Sequence, residues 1–110
     1  MKMPRCESAI IAKAKITDYL LSPTHPRGST KAKWFNALGY AHGRPEDLMA
    51  SLSALAKLDV ESTEETRYGT KYVISGDITG PNGRRGTVRT IWMLLDEAEE
   101  PKLVTAYPEK

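Results

Sequence analysis

Three basic side chains, His25, Arg27 and Lys31, fall within seven residues of one another, in the segment Ser22-Pro23-Thr24-His25-Pro26-Arg27-Gly28 and just beyond it. Where such a segment enters a helix it meets unpaired backbone N–H groups and a partial positive charge, so a cationic loop there is a seat for phosphate. The plainer reading is a solvated loop, the usual fate of surface charge. Lys31 fits that plain reading less well. Lys31, Trp34, Phe35 and Leu38 recur at i, i+3, i+4 and i+7 and share one helical stripe, which turns the ammonium toward the body of the protein or a cleft rim. Snorkelling along the core rim explains the same placement.

A second set lies in the C-terminal half. Thr87, Arg89, Ile91 and Met93 alternate with Val88, Thr90, Trp92 and Leu94, the pattern of a central strand with Arg89 on one of its faces. An arginine there either covers the sheet with its stem or offers a guanidinium to an anion. Thr105 and Tyr107, two residues apart, share a face on the last strand. If that face is also Arg89's, the three make one polar patch; spacing permits this and leaves strand order and register open.

Other chemistries find little support. His42 sits in the turn Gly39-Tyr40-Ala41-His42-Gly43 and reads as a loop histidine. Two distant histidines, the single cysteine Cys6 and no close carboxylate set argue against a zinc or iron site. There is no GxxxxGK[ST] and no Gly-x-Ser-x-Gly. Glu64, Glu65, Glu99 and Glu100 read as solvated acids, and Trp34 and Trp92 as core residues rather than platforms for stacked bases.

The elements that must position these residues follow from period and punctuation. Ile16, Tyr19 and Leu20 suit a short helix over 15–21, which Pro23 ends. Ser29 or Thr30 caps a second helix that Gly39 stops. Pro45, with Glu46 and Asp47 in the first turn and Leu48, Leu52 and Leu55 on one face, marks a third. Beyond Leu58, β-branched residues and tyrosines alternate with polar ones, giving four strands near 59–66, 70–79, 85–95 and 102–107. Gly80-Pro81-Asn82-Gly83 is a hairpin turn, and the short links favour an antiparallel meander. Ile10 and Ile11 are expected to lie extended on the body. The fold class is α+β, about three N-terminal helices packed on a four-stranded antiparallel sheet.

Bulk properties set the frame. The 110 residues, 40% of them hydrophobic, suit one domain spanning 1–110 with one modest core. A formal net charge of +2 permits an anionic partner without requiring one. One cysteine excludes an intramolecular disulfide and points to a reducing compartment, hence a cytoplasmic location. The run Ala9-Ile10-Ile11-Ala12 is too short for a signal-peptide core or a membrane span.

Taken in order, Lys15-Ile16-Thr17-Asp18-Tyr19-Leu20-Leu21, His25-Pro26-Arg27-Gly28 with Lys31-Ala32-Lys33 and Trp34-Phe35, Ala37-Leu38-Gly39-Tyr40, Tyr68-Gly69-Thr70-Lys71-Tyr72, Thr79-Gly80-Pro81-Asn82-Gly83, Val88-Arg89-Thr90-Ile91-Trp92 and Leu103-Val104-Thr105-Ala106-Tyr107-Pro108 resemble a small bacterial domain. That domain occurs alone and at the C-termini of filamentous-haemagglutinin-type contact-dependent inhibition toxins. Its toxin members resemble the barnase/EndoU/colicin/RelE-like ribonucleases, which cut RNA, often tRNA, without metal. The resemblance implies a metal-independent endoribonuclease with no cofactor. It implies His25, Lys31, Arg89, Thr105 and Tyr107 as catalytic candidates; Arg27, Lys33, Lys71 and Thr87 are the further candidates for phosphate or RNA contact. It also implies RNA and a small antitoxin or immunity protein as partners. The chain starts at a methionine with no delivery module, which suits a stand-alone toxin of a toxin–antitoxin pair or a domesticated relative. The alternative is a non-catalytic RNA- or protein-binding module of such a cassette; an immunity-type inhibitor fits less well, because inhibitors of basic nucleases are usually acidic.

Overall fold

Strand β3 (Arg85–Leu95) runs through the middle of the molecule, paired on both sides, and its alternation organises the rest. The computed structural model describes residues 1–22, 24 and 29–109, with Ser29 by its backbone alone. His25 and Arg27 lie outside the described residues. The sheet is an antiparallel meander in the order β1-β2-β3-β4, with β1 at Ser62–Glu65, β2 at Gly69–Thr79 and β4 at Lys102–Pro108. Eleven residue pairs join β2 to β3, from Gly69 opposite Leu95 to Thr79 opposite Arg85.

Even-numbered side chains of β2 and β3 face the helices. Tyr72, Ile74, Ile78, Val88, Thr90 and Trp92 are buried there, joined by Leu103 and Ala106 of β4. The other face is open and carries Lys71, Val73, Ser75, Thr87, Arg89, Ile91 and Met93, as the period of two requires. Thr90 and Trp92 are both fully buried polar-bearing residues, and they satisfy each other. The Trp92 indole N–H donates to Thr90 Oγ1 at 2.7 Å, and the Thr90 hydroxyl donates to the Ile74 carbonyl at 2.7 Å.

Three helical segments cover the buried face. The first, α1 (Lys13–Lys15), passes directly into a π-helical turn over Ile16–Leu20, whose Ile16 and Leu20 are buried. The second, α2 (Ser29–Ala37), inserts Ala32 and Phe35 into the core. It closes on Gly39, whose φ of 98° is the left-handed conformation that glycine tolerates best. The Tyr40 N–H then donates to the Phe35 carbonyl at 3.2 Å and the Gly39 N–H to the Asn36 carbonyl at 2.9 Å, so two otherwise orphaned carbonyls are used. The third, α3 (Pro45–Leu55), buries Pro45, Leu48, Leu52 and Leu55 and has Glu46 and Asp47 in its first turn.

Expectation and structure differ at three boundaries. The first strand is shorter than 59–66. Lys2 pairs antiparallel with Asp59, and the Val60 N–H donates to the Met1 carbonyl at 2.7 Å, so the N-terminus takes the pairing the strand would have continued. The last strand reaches Pro108, and the Glu109 N–H extends the ladder to the Thr87 carbonyl at 2.9 Å. The first helix lengthens its hydrogen-bond step midway: the Leu21 N–H reaches back five residues to the Ile16 carbonyl at 2.7 Å. Ile10 is extended, as expected, and makes a parallel bridge to Lys102.

Thr90→Val keeps the shape of the side chain but strands the Trp92 indole N–H. It is expected to lower stability by about 1–3 kcal/mol, read from urea unfolding. Gly80→Ala would set a Cβ 1.8 Å from the Leu38 carbonyl oxygen, against backbone that cannot give way locally. A loss of about 1–3 kcal/mol is expected by the same measurement, and an unchanged midpoint in either variant would refute the corresponding contact.

Candidate active site

The β4 edge of the sheet is where the helical half and the strands exchange polar contacts. Two local irregularities arrange it. The π-turn carries half-buried Tyr19 between core-facing Ile16 and Leu20. In β4 the pairing shifts by one residue: Ile91 is opposite Thr105 but Trp92 is opposite Leu103, which leaves Val104 as the extra residue of a bulge. Leu103 and Ala106 stay buried on either side, so Val104 and Thr105 are both excluded from the core. Bulges of this kind re-aim a side chain at the sheet's edge.

Lys31 comes from α2, where buried Ala32 and Phe35 fix the helix against the core. Its ammonium donates to the Tyr19 hydroxyl and, at 3.2 Å, to Thr105 Oγ1. The Tyr19 and Thr105 hydroxyls are themselves 3.5 Å apart. Lys31 Nζ also lies 5.9 Å from the centroid of the Tyr107 ring, and Lys15 Nζ 5.6 Å from that of Tyr19. A groove opens beside the cluster, floored by Ala12, Ala14 and Val104 and edged by Lys15, Asp18, Tyr19 and Thr105.

Burial alone would push the Tyr19 phenol up. The hydrogen bond from Lys31, the one with Thr105 and the charges of Lys31 and Lys15 outweigh it, and the phenol is held below the ordinary tyrosine value. A phenol of that kind next to a cation is suited to proton transfer or to gripping an anion's oxygen.

Arg89 sits next to this cluster on the open face, directly across from Tyr107. One nitrogen of its guanidinium is already occupied: Nη2 donates to Glu109 at 3.1 Å and to Glu61 at 3.3 Å. Ser75 donates to the other oxygen of Glu61 at 2.9 Å. The hydrogen bond to Glu109 and the charge of Glu61 raise the guanidinium pKa further above neutrality. The Ser75 hydroxyl, which can turn between Glu61 and Glu109, and then Arg89 hold the Glu109 carboxyl below its usual range.

Of the residues singled out in the sequence, Lys31, Thr105 and Tyr107 come together, and Arg89 adjoins them through Tyr107. Thr87 is on Arg89's face but donates to Asp77 at 2.5 Å. Lys71 is also on that face, opposite Met93 and Glu64 and so further along the strands. Lys33 is exposed and two residues past Lys31, which sets it about 200° round the helix from the cluster. His42 is exposed, its Nε2 2.9 Å from the Thr17 carbonyl. The missed residues are Tyr19 and Lys15. Their i, i+4 spacing is the available signal, but beside Ile16 and Leu20 the tyrosine reads as apolar packing. Among the described residues no group of three His, Cys, Asp or Glu side chains stands ready for a metal ion, and no helix is long and apolar enough to cross a membrane.

Helices layered on one face of a four-stranded antiparallel meander, with a lysine–tyrosine–threonine cluster at its last strand, define the architecture. The chain belongs to a family described as a domain of unknown function, DUF6883, whose model matches residues 2–110. No curated protein matches it. Among solved structures it is similar to a chain of a contact-dependent growth inhibition toxin–immunity protein complex from Klebsiella pneumoniae 342. The TM-score is 0.75 at 16% identity, over 96% of this chain and 97% of that one. At that identity the likeness establishes a shared fold.

The lowered Glu109 carboxyl has a stability consequence of definite sign. A carboxyl lowered by folding contributes stability at neutral pH, and that contribution is lost as pH falls through the folded pKa. Glu109→Gln is therefore expected to be less stable than wild type near neutrality and to show a shallower loss between neutral and acid pH in urea midpoints. Parallel curves would show that Glu109 does not contribute through its charge.

Proposed function

We propose that the chain is a metal-independent endoribonuclease of the toxin type, acting in the cytoplasm on RNA, with tRNA as the first substrate to test. One observation carries the reading: Lys31, Thr105 and Tyr107 converge beside an open groove at the sheet's edge, a cationic donor with hydroxyls where a phosphodiester could lie. The fold shared with a chain of a toxin–immunity complex supports it, as does the resemblance drawn from the sequence.

In this reading the ribose 2′-hydroxyl attacks the adjacent phosphorus and expels the 5′ oxygen. Lys31 stabilises the charge that builds on the phosphorane-like transition state. Thr105 and Tyr107 orient the phosphate. His25 is assigned to acid–base work because its ordinary pKa lies near neutrality. Arg89, held by Glu61 and Glu109, steadies the strand beside Tyr107 rather than gripping the phosphate directly. Arg27, Lys33, Lys71 and Thr87 are assigned to the flanking RNA. A small cognate immunity protein or antitoxin would be the inhibitor, and covering this edge would be its simplest mode of action.

The second reading, a non-catalytic RNA- or protein-binding module, is favoured by the same neutralised Arg89. Incubating purified protein with total tRNA in chelator separates the two. Cleavage is expected from wild type, with a loss of about 100-fold in Lys31→Ala and a large loss in His25→Ala. Intact RNA with wild type, together with no growth defect on expression, would overturn the enzyme reading.

A further inference from the structure

Resting on the ribonuclease reading, we infer that Tyr19 is the proton-accepting group of this site, its phenolate held between the Lys31 ammonium and the Thr105 hydroxyl at the mouth of the groove. The assignment follows from what each neighbour can do. A lysine ammonium has donors and no lone pair, and Lys31 already directs its donors at two oxygens. Thr105 has a hydroxyl that stays protonated at any working pH. The Tyr19 oxygen ionises within reach, borders the groove, and is the atom on which the Lys31 charge falls. Three neighbours supply roles: Lys15 from its own helical run adds positive charge, Lys31 from α2 donates, and Thr105 from β4 faces it. Asp18, also at the groove, is the opposing charge and the rival base; the Thr17 hydroxyl contacts its carboxylate at 3.2 Å.

The step balances without a further reagent. The proton of the ribose 2′-hydroxyl passes to the Tyr19 oxygen, the O2′–P bond forms and the P–O5′ bond breaks. The departing 5′ oxygen takes a proton from His25, the acid of the ribonuclease reading, and Tyr19 returns its own to solvent, from which His25 is recharged. The apolar floor of Ala12, Ala14 and Val104 suits the sugar or base of the nucleotide whose 2′-hydroxyl is presented. The hydrogen bonds with Lys31 and Thr105 and the charges of Lys31 and Lys15 together outweigh the burial of the phenol, so it ionises at lower pH than a free tyrosine.

The test is a pH–rate profile of tRNA cleavage for wild type, Tyr19→Phe, Lys31→Met and Asp18→Asn, run beside an ultraviolet difference titration of tyrosinate on the same proteins. Circular dichroism serves as the folding control. Wild type should lose activity toward acid pH along a limb of unit slope, and one of its five tyrosines should ionise ahead of the others. Tyr19→Phe should abolish both the early ionisation and the limb and lower the rate by about 100- to 10,000-fold. Lys31→Met should move the ionisation and the limb together to higher pH. Folded Tyr19→Phe that cleaves within a few-fold of wild type would overturn this inference and leave the ribonuclease reading standing. So would disappearance of the limb in Asp18→Asn, or a Tyr19 that titrates with the other tyrosines. A wild type that cleaves no RNA would overturn both.

Discussion

Strand β3 has a partner on each side, and a slip of one residue in its register would send Trp92 to water and Arg89 into the core. Losing the burial of a tryptophan costs about 3–5 kcal/mol, a large part of the stability of a small domain. The hydrogen bonds from Trp92 to Thr90 and from Thr90 to the Ile74 carbonyl add direction to that penalty, because they are met in one register. With β3 fixed, β2 and β4 are fixed by pairing. The position of Tyr107 opposite Arg89 and of Thr105 opposite Ile91 then follows without any contribution from the helices.

Against this rigid frame the polar cluster is built from departures. Regular α-helix through residues 16–20 would return Tyr19 to a different angle, and regular β-structure through residues 103–106 would alternate Leu103 and Ala106 to opposite faces. The π-turn and the bulge each insert one residue's worth of rotation, and Lys31 spans the gap between them. Both irregularities are held from below by buried apolar residues, Ile16 and Leu20 on one side and Leu103 and Ala106 on the other. The cluster is thus supported by the core while its polar ends reach the groove.

Much of the frame was legible in the sequence. Pro45 with Glu46 and Asp47, Gly39 after the Phe35 and Leu38 stripe, and the Gly80-Pro81-Asn82-Gly83 turn are local signals, and the elements they mark formed where expected. The alternation of β3 likewise put Arg89 and Trp92 on opposite faces. Thr105 and Tyr107 were found because period two is nearly independent of context. Tyr19 was not, since a tyrosine in an amphipathic stretch reads as packing until a partner 12 residues away in the chain is known to touch it. The carboxylates on Arg89 were equally hidden: Glu61 and Glu109 come from opposite ends of the sheet, 28 and 20 residues from it. The length of β1 was misjudged because its would-be first residues pair with the N-terminus, a contact that no local pattern encodes.

That N-terminal contact also has a consequence for how the chain assembles. Residues near the start bridge to both flanks of the sheet, Lys2 to Asp59 and Ile10 to Lys102. During synthesis they leave the ribosome ahead of both of their anchoring sites. Met3, buried in the finished core, and Cys6, half-buried beside it, therefore wait in solvent until the residues around Lys102 have left the ribosome. A segment made ahead of both its anchoring sites is among the last parts of the domain to be seated, so a chain cut short of Lys102 would expose Met3 and the Cys6 thiol more fully than the folded domain does.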